Sequence, residues 1–203
     1  MNANGASVYP GFIDGGSDMG LNEPGVRGMD DVSEMLDFNQ MLRTRVAYQS
    51  DTDAVPVARV EGITSAAIFM GGGVVTGDVP LMNLDGWTWE ENIVRPSAGL
   101  ALAFPGGGGG GGRGGGGGRG GGGGAAAPNQ LEELDRLLRA ARSYGANPNR
   151  QMDWSLEPFL PIVNKQQAFF VSAGSAAAIR DAIAWAERQS INIVVRTSPA
   201  SAV

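Results

Sequence analysis

The chain has 203 residues, 42% hydrophobic and 18% charged, enough to bury a sizeable core as one or two soluble domains. Its 15 basic and 21 acidic residues give a formal charge of -6, which argues against a surface built to neutralise phosphates. Zero Cys excludes disulfides and thiolate metal sites, and zero His removes imidazole as base, nucleophile and metal ligand. Any chemistry must rest on carboxylates, hydroxyls, Lys or backbone groups.

In chain order, residues 1–7 have neither a basic region nor an apolar core, so no signal peptide is read there and the default expectation is cytoplasmic. No apolar run approaches the roughly 18 residues of a membrane span. Tyr9 to Asp14 reads as a short strand entering a Gly-Gly-Ser turn. Over 32–46, Val32, Met35, Leu36, Met41, Leu42 and Val46 fall at near-helical spacing that Asp37, Asn39 and Gln40 interrupt, which predicts a helical turn or ordered loop. Ile63 to Met70 is an unbroken apolar run closed by Gly71-Gly72-Gly73, suited to a strand buried on both faces. That triple glycine lacks the Gly-Lys-Ser/Thr of a phosphate loop and reads as a turn. Val79 to Leu84 and Ala98 to Phe104 are further strands.

Residues 106–124 are all glycine except Arg113 and Arg119. With no side chain to bury and a large entropy loss on ordering, this tract reads as a linker over 106–127. It separates an N-terminal part, 1–105, from a C-terminal part, 128–203. The two arginines stand in Gly-Gly-Arg-Gly-Gly contexts like those of RNA-binding segments, but without interleaved aromatics and on an acidic chain, so nucleic acid is not an expected partner.

Beyond the tract, Leu131, Leu134, Leu138 and Ala141 form one helical face, with Glu132–Arg136 and Asp135–Arg139 at favourable i,i+4 spacing. Ser155 is placed to cap a short helix carrying Leu156, Phe159, Leu160 and Val163. Ala168 to Ser172 reads as a buried strand, followed by a helix with Ile179, Ala182, Ile183 and Ala186 on one face, then the strand Ile191 to Val195. Strand, helix and strand with short connections predict a parallel βαβ unit.

Pro10-Gly11-Phe12-Ile13-Asp14-Gly15-Gly16-Ser17-Asp18-Met19-Gly20-Leu21 resembles the opening motif of the amidohydrolase superfamily. In that motif a Pro-Gly-apolar-Ile-Asp strand precedes a His-x-His pair and Gly-Leu. Alternate strand residues point the same way, so the family's two His reach one metal. Here Gly16 and Asp18 stand in their places. Val57 to Ser65 resembles the segment entering the family's second strand. Leu84-Asp85-Gly86-Trp87-Thr88-Trp89-Glu90-Glu91 with Pro96 to Leu100 resembles one bacterial, imidazolonepropionase-like branch. Phe169-Phe170-Val171-Ser172-Ala173 resembles a later strand with His in a Val-His-Ala context, and Ser172 holds that position. Val194 to Ser198 resembles the next strand, with Thr197 near another His position.

The resemblance spans roughly residues 9–105 and 128–200 and implies an α/β, partial TIM-barrel-like (β/α) fold of parallel strands, interrupted by the glycine-rich loop. It implies metal-assisted hydrolysis of non-peptide carbon–nitrogen bonds, as in cyclic amides, with a divalent metal, typically zinc, at the C-terminal strand ends. The substituted ligand positions Gly16, Asp18, Ser172 and Thr197 leave Asp18 as the candidate catalytic or metal carboxylate, and the family's metal-binding Lys and terminal Asp have no counterpart. The expectation is a catalytically degenerate or truncated member with no cofactor of its own. The alternative is a binding domain that self-associates or is completed by another chain. Structural roles compete at each position: Asp18 as a turn-stabilising residue, Asp14 as a carboxylate bonded to nearby backbone, Trp87 and Trp89 as packing residues, and Glu90 and Glu91 at a helix start.

Overall fold

The structure, a computed structural model, describes residues 5, 7–22, 32–104 and 128–197. The glycine tract and the linker expected over 106–127 lie outside the described residues.

Two four-stranded sheets form the framework. The first has the order β1 (Phe12–Ser17), β2 (Ile63–Ile68), β4 (Leu81–Asn83), β5 (Ile93–Arg95). The second has the order β3 (Val75–Asp78), β6 (Gly99–Ala103), β7 (Ala168–Ser172), β8 (Ile193–Arg196), so it takes strands from both sides of the glycine tract. Residues 75–83 bridge the two: β3 pairs with β6, and after Val79 and Pro80 the chain continues as β4 against β2. The β1–β2, β6–β7 and β7–β8 pairs are parallel. The β2–β4, β4–β5 and β3–β6 pairs are antiparallel, so the architecture is mixed α/β and the expectation of a parallel set holds only in part. β4 and β5 are joined by residues 84–92 alone, short of the roughly dozen residues a parallel crossover needs.

The expected βαβ unit is β7, α6 (Ala176–Gln189) and β8, paired in parallel from Phe169↔Ile193 to Ser172↔Arg196. Ser175 caps α6 by accepting from the Ala178 amide at 3.2 Å. Phe169 and Val171 point outward from β7 into the main core with Trp185 and Ala182 of α6 and Leu134, Leu138 and Ala141 of α4 (Pro128–Ala146). Those six side chains other than Trp185 are wholly buried, and Trp185 is 1% exposed; each large one stabilises the fold by about 2–3 kcal/mol. The α4 charges pair differently from expectation. Arg136 bonds Glu133, and Asp135 turns inward to accept from Trp185 Nε1 at 2.8 Å and Gln189 Nε2 at 2.9 Å, fastening α4 to α6.

The Ser155 cap is also corrected. Asp153 receives the Ser155 amide at 2.9 Å on Oδ1, and its carbonyl receives the amides of Leu156 and Glu157, starting a 3-10 turn at Glu157–Phe159 that runs into α5 (Leu160–Val163). Asp is as good an acceptor there as Ser, and its position two residues earlier sets the start.

In the N-terminal part, residues 32–43 form an ordered loop before α1 (Thr44–Ala47), with burial opposite to the apolar spacing. Met35 is 99% and Leu36 69% exposed, whereas Asn39, Gln40 and Thr44 are buried. Hydrogen bonds select this arrangement: Asn39 Nδ2 donates to Leu36 O at 2.6 Å, its amide to Val75 O at 2.7 Å, and Gln40 Nε2 to Ser155 O at 3.0 Å. Strand β2 is less enclosed than expected, since Ala66 and Ile68 are wholly buried but Ile63 and Ser65 only half. Ala66 and Ile68 pack with Val55 and Ala58 of α2 (Ala54–Val60) in a second core. A third, small cluster lies between the inner faces of the sheets: Phe69, Val79 and Ala101, backed by Ala67 and Phe170.

Candidate functional site

β1 is an irregular edge strand. It begins three residues later than the sequence suggests and carries Gly16 and Ser17 inside it, because a register shift between Asp14 and Ser17 lets the chain continue past the glycines. Asp14 Oδ1 accepts from the Gly16 amide at 3.0 Å, the local backbone role anticipated for it. The following turn is held by Ser17 Oγ, which accepts from the Met19 amide at 3.1 Å, and by the Asp18 carbonyl, which accepts from Leu21 at 3.0 Å. The Asp18 side chain stays exposed.

On β7, Phe170 and Ser172 face the inner side, opposite to the outward Phe169 and Val171. Ser172 ends that strand and pairs in register with Arg196, the last residue of β8. Paired residues of parallel strands share a face, so Arg196 points inward beside Ser172. Thr197 is exposed one residue beyond. Of the four anticipated positions, Gly16 lies beside the Arg196 side chain, Ser172 pairs with Arg196 across β7 and β8, Asp18 follows the end of β1, and Thr197 lies one residue past Arg196. Sequence reading passed over Arg196 because it falls one residue out of the expected register.

Arg196 makes three contacts that define the site. A Cβ on Gly16 would stand 2.7 Å from Arg196 Nε, so any larger residue there would have to push the Arg196 side chain aside. Its guanidinium carbon lies 4.2 Å from the centre of the Phe69 ring, a cation–π stack, and Phe69 meets Phe170 edge-on at 5.6 Å. Burial pulls the guanidinium below its ordinary pKa, while the negative charges of Asp18 and Asp14 act in the other direction. Arg45–Asp78, Arg59–Asp85, Arg136–Glu133 and Arg150–Glu157 form ion pairs, and Arg196 is in none of these.

A divalent cation of the kind implied by the sequence motifs does not suit these side chains. Gly16 offers no donor atom, Ser172 is neutral, and the space toward which a side chain at 16 would project holds a fixed positive charge. A catalytic zinc normally takes three His, Cys, Asp or Glu ligands, and of these four positions only Asp18 is one. What the arrangement can do is bind: a guanidinium on an aromatic floor, a free-facing hydroxyl strand neighbour and two nearby carboxylates. A cleft of about 270 Å³ lined by Ala141, Arg142, Val163 and Asn164 belongs instead to the helix layer, where Arg142 is already bonded to Gln189.

The Trp segment is structural in an unexpected way. Thr88 caps α3 (Trp89–Asn92) by accepting from the Glu91 amide at 3.3 Å, with Glu90 and Glu91 in its first turn as expected. Trp89 packs on the second core, but Trp87 is 90% exposed, because Ser50 and Glu91 bond its backbone and hold its ring outward.

No family model matches the chain, and no curated protein matches its sequence. Among solved structures, the fold is similar to an amidohydrolase from Thermotoga maritima MSB8, with a TM-score of 0.76 and 21% identity over 92% of this chain. The match covers 51% of that protein, so this chain spans about half its length. The likeness supports an amidohydrolase-like fold.

Proposed function

We propose that this chain is an imidazolonepropionase-like amidohydrolase of partial TIM-barrel type in which the catalytic metal has been replaced by a fixed guanidinium, leaving a binding site where the hydrolytic centre once stood. The ancestral chemistry is hydrolysis of a cyclic amide's carbon–nitrogen bond, and the present chain is its catalytically degenerate descendant. The observation that carries this reading is the contact between Gly16 and Arg196: a position that supplies a ligand in the motif is emptied of its side chain, and a cation from β8 fills the space. The amidohydrolase-like fold supports it, as do Asp18 just past β1 and Ser172 at the end of β7.

The test is turnover. The chain, incubated with zinc or manganese and a panel of hydantoins, dihydropyrimidines and imidazolones, is expected to hydrolyse none above the rate of a metal-only control. Metal-dependent turnover that disappears in Asp18→Asn would contradict the reading and restore Asp18 as a catalytic carboxylate.

A further inference from the structure

The Arg196 guanidinium carries five N–H donors, and none of them meets an acceptor among the described residues. Its position is nevertheless fixed. The Phe69 ring lies under it at 4.2 Å, and its Nε occupies the space where a Cβ at position 16 would stand, 2.7 Å away. A half-buried guanidinium held in one place with its donors unmatched is a preorganised receptor for a planar oxyanion, because a carboxylate takes two parallel N–H bonds from the fork. The Ser172 hydroxyl, on the same face of the adjacent strand, makes no hydrogen bond with the described residues and adds a further donor.

The surrounding charges narrow the ligand. Asp14 bonds the Gly16 amide at 3.0 Å beside Arg196, and Asp18 follows the end of β1, so the cluster sets two carboxylates against one guanidinium. A simple anion meets net repulsion there. A molecule whose carboxylate sits on the guanidinium, and whose ammonium faces the two aspartates, satisfies all three groups. Asp18 and Thr197 are exposed, so the site opens to solvent on that side.

We propose that Arg196, Ser172, Asp14 and Asp18 form a binding site for a small zwitterion of the amino-acid type, carboxylate on Arg196 and ammonium toward the aspartates. This rests on the reading that a guanidinium, and not a metal, supplies the cation of the site.

The experiment follows the side-chain Nε–Hε resonance of Arg196 by NMR in the full chain, at constant ionic strength, with β-alanine, acetate and methylammonium as probes. β-Alanine is expected to shift it saturably, acetate about tenfold more weakly, and methylammonium not at all. In Arg196→Gln, backbone shifts around Gly16 and Ser172 on adding β-alanine are expected to vanish. Should that variant fail to fold, Arg196→Lys, which keeps the charge but loses the fork, is expected to weaken β-alanine by about tenfold. Asp18→Asn is expected to bring β-alanine down to the level of acetate. No saturable shift, or the same backbone shifts in a folded Arg196→Gln, overturns the site. Equal affinity for acetate and β-alanine overturns the role of the aspartates. Zinc titrated into the same samples separates the two readings. Stoichiometric uptake overturns the loss of the metal, whereas silence toward both zinc and β-alanine overturns only the zwitterion site.

Discussion

Tyr48 shows how a residue's surroundings set a measurable property. It is 3% exposed, its ring presses on the Gly20 backbone, and its hydroxyl has no partner among the described residues. Burial disfavours the phenolate and pushes its pKa up from 10.0 to about 12. A group whose folded pKa is raised stabilises the fold fully below its unfolded pKa and loses that contribution as pH climbs through the folded one. Stability owed to Tyr48 is therefore flat below pH 10.0 and falls between there and about 12. The slope reaches at most about 1.4 kcal/mol per pH unit. Chemical denaturation of wild type and Tyr48→Phe across pH 8–12 is expected to show the wild type losing stability relative to the variant only above pH 10. At neutral pH the variant is expected to be at least as stable, since it discards a buried hydroxyl with no partner. A difference that is constant with pH would mean the hydroxyl is hydrated or bonded. Asp78 poses the opposite case: burial raises its pKa, and Arg45 at 2.6 Å and the Thr44 amide at 2.7 Å act against that rise. None of this was legible in the sequence, where Tyr48 and Asp78 carry no pattern. Arg196 was hidden for a related reason, since a strand's inward face is fixed by pairing register and the motif pointed one residue further on.

At the scale of elements, legibility followed periodicity. β7 was read with its observed bounds, and α6 and α4 were found, because their apolar spacing comes from one continuous buried face. β3 was missed although all four of its residues are buried: Thr76 and Asp78 are polar, and Gly77 adopts φ +122 where it abuts Leu42 and Thr44. The loop at 32–43 misled for the same physical reason in reverse, its order coming from amide side chains and not from apolar burial. The excursion between β4 and β5 is another element held by polar groups. Asn92 is wholly buried, and its side chain accepts from the Gly86 amide at 2.6 Å and donates to the Gly86 carbonyl at 3.3 Å, closing the loop on itself. Asn92→Ala is expected to cost about 1–2 kcal/mol in denaturant unfolding, because it removes the partner of two half-buried Gly86 backbone groups at once. A loss below about 0.5 kcal/mol, within the range of ordinary surface substitutions, would show that water replaces the amide there.

For the whole molecule, the motifs around Gly16 and Ser172 led to an amidohydrolase-like fold that the structural likeness supports, while composition alone led no further than a globular chain. The mixed sheets were not legible, because strand direction depends on connection lengths and on the way residues 75–83 cross from one sheet to the other. β1 and β8 end their sheets with no ladder between them among the described residues, and the Arg196 side chain lies beside Gly16 across that gap. The same contact carries the central claim, that a guanidinium occupies the place of the metal. Crystals of the chain soaked in zinc and measured across the zinc absorption edge test this most directly. The expected map has continuous density for Arg196 over Phe69 and no anomalous peak between Gly16, Asp18 and Ser172. A strong anomalous peak there, with zinc within about 2.2 Å of an Asp18 oxygen and Arg196 swung away from Gly16, would contradict it.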